Sequence, residues 1–290
     1  MKKIGLVVAQ GFWLHFRVIQ RLLQASYVVD ELRVPVWPIG LMSDRGNRFL
    51  VSRALAQFLG DNDLVFFEWG EEYFVRATHL PKDASIIVRI HLHELWDFAP
   101  RVNWANVDRV ILISHAMERK LLERYPTLVG RTIVIHNGVE LNKFTFDGRP
   151  FRGTIGTLSR IEPFKRIDGL IIAFHQLIQK GYDLTLRIGG SCTEPRYQRY
   201  ADEVALLVER LGLEGRVILD GYIADTPGWL RDIDIFVTNS FSEGLQVALL
   251  EAMATGCYCL SHAWDCAEEA LPPDQIYISE GELIQKVETY

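Results

Sequence analysis

Several things are scarce in this chain of 290 residues, and each scarcity removes a class of protein. No run of about 18 apolar residues occurs, so no transmembrane helix is expected. Positive charge is in deficit, 31 Lys and Arg against 37 Asp and Glu. The net charge of −6 argues against a general nucleic-acid binder, whose footprint is basic. The only cysteines are Cys192, Cys257, Cys259 and Cys266, all in the C-terminal half. Cys257 and Cys259 alternate along an apparent strand and point to opposite faces, poor geometry for a metal pair. All four read as reduced thiols of a cytoplasmic protein. Short repeats and low-complexity segments are also missing. The apolar N-terminus mimics a short signal peptide but breaks at Gln10, and reads more simply as a first buried strand.

What remains is ordinary globular composition, 49% hydrophobic and 23% charged, in a chain long enough for two domains. Short apolar runs alternate with helix-period segments, which implies parallel α/β sheets. In the first half, strands read at 3–9, 32–36, 63–68, 85–91, 108–113 and 131–135, with helices around 14–25, 48–59 and 115–125. The turn-rich stretch from Asn142 to Pro150 then marks a boundary, giving domains 1–147 and 148–290. The second half repeats the scheme, with strands near 153–158, 183–188, 215–219, 233–238 and 257–261 and helices near 166–180, 196–211 and 245–255. A last strand reads at Gln275–Ile278. Two such Rossmann-like, doubly wound domains are expected to face one shared cleft with their strand C-termini.

The segment Leu245–Met253 is apolar except for Gln246 and Glu251, the pattern of a helix buried nearly all round. A carboxylate inside it is costly unless something hydrogen-bonds it. Glu243 stands just ahead, where unpaired backbone N–H groups and the positive dipole end favour negative charge. An anion seat at the mouth and a carboxylate two turns in suit a ligand with phosphates at one end and vicinal hydroxyls at the other. A nucleoside diphosphate sugar is such a ligand. The bland alternatives are an ion-paired packing Glu at 251 and a capping acid at 243.

The spacing of Glu243 and Glu251, with Gly-Leu after the first and Ala-Met-Ala after the second, resembles the Glu-x7-Glu motif of family 4 glycosyltransferases, retaining enzymes of the GT-B fold. Thr154–Lys165 looks like that family's strand followed by Arg-x4-Lys, here Arg160 and Lys165. Ile135–Glu140 is similar to its Pro-Asn-Gly-Val-Asp signature, with His136 in place of proline, and Val107–Ser114 to its strand running into Ser and a helix. Relatives of this kind usually continue with further helices, so the chain reads as a short or shortened member.

The resemblance implies roles residue by residue. Arg160 and Lys165 stabilise the departing diphosphate, Arg as a bidentate grip and Lys as a compact charge; a solvated pair beside Glu162 and Arg166 is the alternative. Gly244, Leu245 and Gln246 offer backbone N–H groups to phosphate. Glu251 takes the ribose hydroxyls, Glu243 lies near donor sugar and phosphate, and Tyr222 and Ile223 pack against the base. His91, at the end of the strand 85–91, aligns with the family's active-site histidine and would bond the transferring sugar or assist proton movement. His91, His93 and Glu94 also admit a metal reading, but show too few ligands, and no metal is expected. Gly11 is the acceptor-side candidate, although the family's double glycine is missing there. Asp61-Asn62-Asp63 reads as a turn that starts a strand. Trp13, Trp69 and Trp96 follow strands on loops expected to face the cleft.

The implied activity is retaining, metal-independent transfer from a nucleoside diphosphate sugar to a hydroxyl acceptor, glycan, lipid or small molecule, with no resident cofactor. The rivals are a nucleotide-sugar epimerase on the same fold and a non-catalytic nucleotide-sugar-binding subunit. The implied location is the cytoplasm, with room for peripheral contact at the inner membrane face. Arg17 and Arg21 among the apolar residues of Trp13–Ala25 fit a membrane-surface helix, but a helix packed on its own sheet is the expectation.

Overall fold

The computed structural model describes residues 2–8, 13–32, 43–146 and 148–290, with side chains described except at 13–15 and 43–48. By its contacts the chain forms two units, Met1–His136 and Asn137–Tyr290.

In the first unit the order is β1 (Lys3–Val8), α1 (Trp13–Gln24), β2 (Val28–Glu31), α2 (Ser43–Asp61), β3 (Leu64–Glu68), α3 (Glu72–Thr78), β4 (Ser85–Ile90), α4 (Glu94–Asp97), β5 (Arg109–Leu112), α5 (His115–Arg124) and β6 (Thr132–Val134). All strand pairs are parallel, in the sheet order β2-β1-β3-β4-β5-β6. Strands covered on both faces need continuous apolar runs, and β1 and β3 supply them. Ile4, Leu6 and Val8 cluster with Phe66 and with Phe16 of α1. The Phe16 and Phe66 rings stack at 5.6 Å, so α1 does pack on its own sheet. Ser114, fully buried, caps α5 by accepting the Met117 N–H at 3.3 Å. Asp61 ends α2, so Asp61-Asn62-Asp63 is not a separate turn; Asn62 and Asp63 lead straight into β3, where the Lys3 N–H donates to Asp63 at 2.8 Å and Asn62 donates to the Phe58 carbonyl.

The second unit runs β7 (Thr154–Leu158), α6 (Ile167–Gln179), β8 (Thr185–Gly189), α7 (Gln198–Arg210), β9 (Val217–Gly221), α8 (Thr226–Leu230), β10 (Ile235–Thr238), α9 (Val247–Thr255), β11 (Tyr258–His262), β12 (Ile276–Tyr277) and α10 (Glu280–Thr289). Its parallel sheet has the order β12-β11-β10-β7-β8-β9. Leu170, Ile171, Phe174 and Leu177 recur at helical spacing on α6 and bury against Ile155, Leu186 and Val237, while α10 closes the same core with Leu283 and Ile284.

Three expectations need correction. The units part after His136 rather than at 147, because Phe144 is buried and the Asn137 amide donates to the Leu245 carbonyl at 2.9 Å. The turn-rich stretch thus belongs to the second unit; turn residues marked a chain reversal, not a boundary. The strand expected at 32–36 falls at Val28–Glu31, and 33–36 lie outside the described residues. The apolar helix begins at Val247 and buries only Leu249, Ala252 and Thr255, leaving Met253 40% exposed. The four cysteines are free thiols. No helix among the described residues is long and apolar enough to cross a membrane.

Candidate functional site

In the second sheet the direction of winding reverses between β7 and β10, which are hydrogen-bonded neighbours. Open parallel sheets bind ligands at such a switch point, beyond the strand C-termini. The loop after β7 carries Arg160 and Lys165, and the loop after β10 carries Glu243 to Gln246. The Phe241 N–H donates to the Phe164 carbonyl at 2.8 Å, and the Asn239 amide donates to the Arg166 carbonyl at 2.8 Å, so the two loops are tied together.

Lys165 Nζ lies 2.5 Å from Glu243 Oε1, with both side chains largely buried. Arg160 Nη1 lies 2.9 Å from Glu162 Oε1 and 3.3 Å from Glu194 Oε1. Glu162 has no exposed surface, and neither of its oxygens completes a hydrogen bond; the 2.9 Å approach is ionic contact without hydrogen-bond angles. Burial pushes its carboxyl above the usual range, against the charges of Arg160 and Lys165. The two cations therefore flank one internal counter-charge, which the Arg-x4-Lys spacing alone did not reveal.

Gly244 and Leu245 precede Gln246, the N-cap of α9, whose side chain makes no cap bond. Their backbone is held from two sides. Cys266 Sγ donates to the Gly244 carbonyl at 2.6 Å, and Asn137 holds the Leu245 carbonyl. Cys266 lies far off in sequence, and no pattern pointed to it. Further along α9, Glu251 is half-buried with no partner among the described residues, and desolvation alone raises its pKa to about 7. It stands on a half-open face of α9 instead of deep in a core.

Gly190, after β8, has φ +122°, and a Cβ there would fall 1.8 Å from the Ser159 carbonyl oxygen. Only glycine permits this approach of β8 to the segment leading into Arg160. Beyond β9, Tyr222 is 79% exposed, while Ile223 packs against Gly189. The structure thus brings Lys165 to Glu243 ahead of Gly244, Leu245 and Gln246, places Arg160 on the same loop as Lys165 with Glu162 and Glu194 as its partners, and sets Tyr222 and Ile223 on the same C-terminal edge.

His91 belongs to the first unit, just past β4. Its Nε2 lies 3.2 Å from Glu68 Oε1, and its ring stacks on Trp69 at 3.8 Å. Burial lowers its pKa, against the pull of Glu68, so the ring is neutral at neutral pH. Glu94 is fully buried and accepts the backbone N–H groups of Gly70 and of His91, the latter at 2.5 Å. Desolvation raises its pKa well above the carboxyl range. With Glu94 so committed and β4 ended at Ile90, the alternation that would set His91 and His93 on one face is lost. Trp96 is exposed beside Arg124, whose guanidinium lies 4.3 Å from its ring. Gly11 lies outside the described residues, as does the side chain of Trp13.

Residues 152–287 match a family described as Glycosyl transferases group 1. The chain is 28% identical over 132 residues to a lipopolysaccharide core biosynthesis mannosyltransferase of Rhizobium leguminosarum bv. viciae, covering 42% of this chain and 37% of that protein. It is 31% identical over 118 residues to mannosylfructose-phosphate synthase of Agrobacterium fabrum, covering 39% of this chain and 25% of that protein. The chain therefore spans well under half the length of these relatives. Among solved structures it resembles Anabaena HepE in complex with UDP and glucose, with a TM-score of 0.78, 21% identity, and coverage of 100% of this chain and 89% of that one. The fold is GT-B, two parallel α/β sheets with helices.

Proposed function

We propose that this chain is a retaining glycosyltransferase of the family 4 type, which moves a sugar from a nucleoside diphosphate donor to the hydroxyl of a glycan, lipid or small-molecule acceptor. The observation that carries the reading is the meeting of Lys165 with Glu243 at the β7/β10 switch point, with Arg160 on the same loop as Lys165. The donor's diphosphate lies over the N–H groups of Gly244 to Gln246, with Arg160 and Lys165 against its oxygens. Charge grows on those oxygens as the glycosidic bond breaks, so fixed cations lower the barrier rather than merely tighten binding. Glu251 accepts from the ribose hydroxyls, Tyr222 and Ile223 border the base, and Glu243 turns to the donor sugar once the diphosphate draws Lys165 away. His91 bonds the transferring sugar. The acceptor attacks on the face the diphosphate leaves, and the diphosphate takes the acceptor's proton. Two fixed cations do the work a divalent metal would do, so no metal is required.

The similarity of residues 152–287 to the glycosyl transferase family supports this reading, as do the names of the relatives. The test is a thermal-shift panel of nucleoside diphosphate sugars, followed by product analysis with and without acceptor. A stabilising ligand raises Tm in proportion to RT ln(1 + [L]/Kd). Transfer with retained anomeric configuration is expected. Conversion of donor alone into an isomer would make the chain an epimerase, and binding without turnover would make it a binding subunit.

A further inference from the structure

At the ends of β3 and β4, outside the diphosphate machinery, four side chains lock together. Glu68 and Arg89 are register partners across the two strands. Glu68 is 4% exposed, and its Oε1 sits 3.2 Å from Arg89 Nε and 3.2 Å from His91 Nε2. Trp69 follows with φ +76°, a left-handed conformation that a bulky residue rarely adopts, and lays its ring on His91 at 3.8 Å and 18°. The Glu94 carboxylate ties the backbone of Gly70 to that of His91. The imidazole is thus held at one edge, across one face and through its own backbone.

A carboxylate has lone pairs but no hydrogen to give. Facing Glu68, Nε2 must carry the ring hydrogen, and in the neutral ring the lone pair is left on Nδ1. That atom bonds no described residue. We propose that Glu68 is a positioning residue that fixes His91 as the Nε2–H tautomer, so that His91 meets the transferring sugar as an acceptor at Nδ1 and selects a sugar hydroxyl. The selection of a hydroxyl rests on the glycosyl-transfer reading; the tautomer does not. A site built to bond a hydroxyl rejects its absence far more strongly than an apolar pocket rejects a lost methylene.

The tautomer is read directly from two-bond proton–nitrogen correlation spectra of the full chain with 15N-labelled histidine, the His91 signals being identified by their loss in His91→Ala. Wild-type protein is expected to show a protonated Nε2 and an unprotonated Nδ1. In Glu68→Gln the amide can turn its NH2 to the ring, so the Nδ1–H form is expected to appear, while Glu68→Asp retains an acceptor and restores the original form in part. Turnover of the donor identified in the thermal-shift panel should fall at least about 10-fold in Glu68→Gln, with affinity for the bare nucleoside diphosphate within about 2-fold of wild type. A wild-type ring protonated at Nδ1 overturns the proposal whether or not the variant folds. So does a Glu68→Gln protein with unchanged tautomer and turnover. If the tautomer is as expected but no nucleotide sugar is turned over, the glycosyl-transfer reading fails, the hydroxyl selection falls with it, and the tautomer lock stands.

Discussion

Nucleotide binding should release a proton from Glu251. In the empty protein this carboxyl is half-buried with no partner among the described residues, and desolvation lifts its pKa from 4.5 to about 7. The ribose hydroxyls need the ionised, acceptor-only form, so the bound state favours loss of the proton. With a pKa of about 7, the carboxylate fraction is about 0.9 at pH 8 and about 0.1 at pH 6. Apparent affinity scales with the competent fraction, so donor Kd should rise about 10-fold from pH 8 to pH 6, about 1.4 kcal/mol. At pH 7 about half a proton per donor should appear, measured by calorimetry in two buffers of different ionisation enthalpy. An intact nucleotide sugar is the right ligand, because its diphosphate diester does not titrate over this range. Glu251→Gln should bind more weakly at pH 8 and show neither the slope nor the released proton. The same substitution should stabilise the empty protein at pH 8. A carboxyl whose pKa is raised on folding contributes stability that is complete below 4.5 and lost as pH rises through about 7, and Gln escapes that loss. A gain of about 1 kcal/mol would appear as about 2–4 °C in Tm. A Kd flat between pH 6 and 8, or an equal slope in Glu251→Gln, would refute this account.

Arg160→Ala and Lys165→Ala should each lower kcat by about 10²-fold or more, with a smaller loss of donor affinity; steady-state kinetics showing wild-type turnover in both would remove them from the mechanism. His91→Ala should leave bare-nucleotide affinity by calorimetry nearly unchanged and damage transfer, whereas equal binding losses in this variant and Glu251→Gln would give His91 a purely structural role. Turnover should survive EDTA; activity abolished by chelation and restored by manganese would show that the two cations do not suffice. Gly190→Ala must place a Cβ 1.8 Å from the Ser159 carbonyl oxygen at φ +122°, so a loss of at least about 1–3 kcal/mol is expected from the urea midpoint at unchanged m, and an unmoved midpoint would contradict the geometry.

Strands were legible where burial on both faces forced continuous apolar runs. Leu64–Glu68, Ser85–Ile90 and Ile235–Thr238 fall within a residue or three of their expected bounds. Helices with a full apolar stripe, such as Ile167–Gln179, were equally plain, whereas α3, α8 and α10 were not foreseen. At five residues, α8 is too short to show a period, and its start is set by Asp225 accepting the Gly228 N–H. In the candidate site, local spacing could suggest only residues near one another in the chain, such as Arg160 with Lys165 and Glu243 with Glu251. It could not convey Cys266 under Gly244 or Glu68 beside His91, because those contacts join residues 22 and 23 apart through the sheet. Nor does an alternating Glu-Pro-Phe reveal that Glu162 loses all its exposed surface. Burial of a polar side chain is a tertiary fact, and no period in the sequence encodes it.

The Lys165–Glu243 pair has a consequence for which anions the protein meets at rest. An ammonium already 2.5 Å from a carboxylate presents almost no net charge to its surroundings. Small anions with no hydrogen to give, such as chloride, offer nothing that compensates for pulling the two apart. A nucleoside diphosphate sugar does, since it brings donors for Glu243 at the same moment as acceptors for Lys165. Under the proposed function the pairing acts as a filter, costing some affinity for every ligand and sparing the site from occupation by such anions.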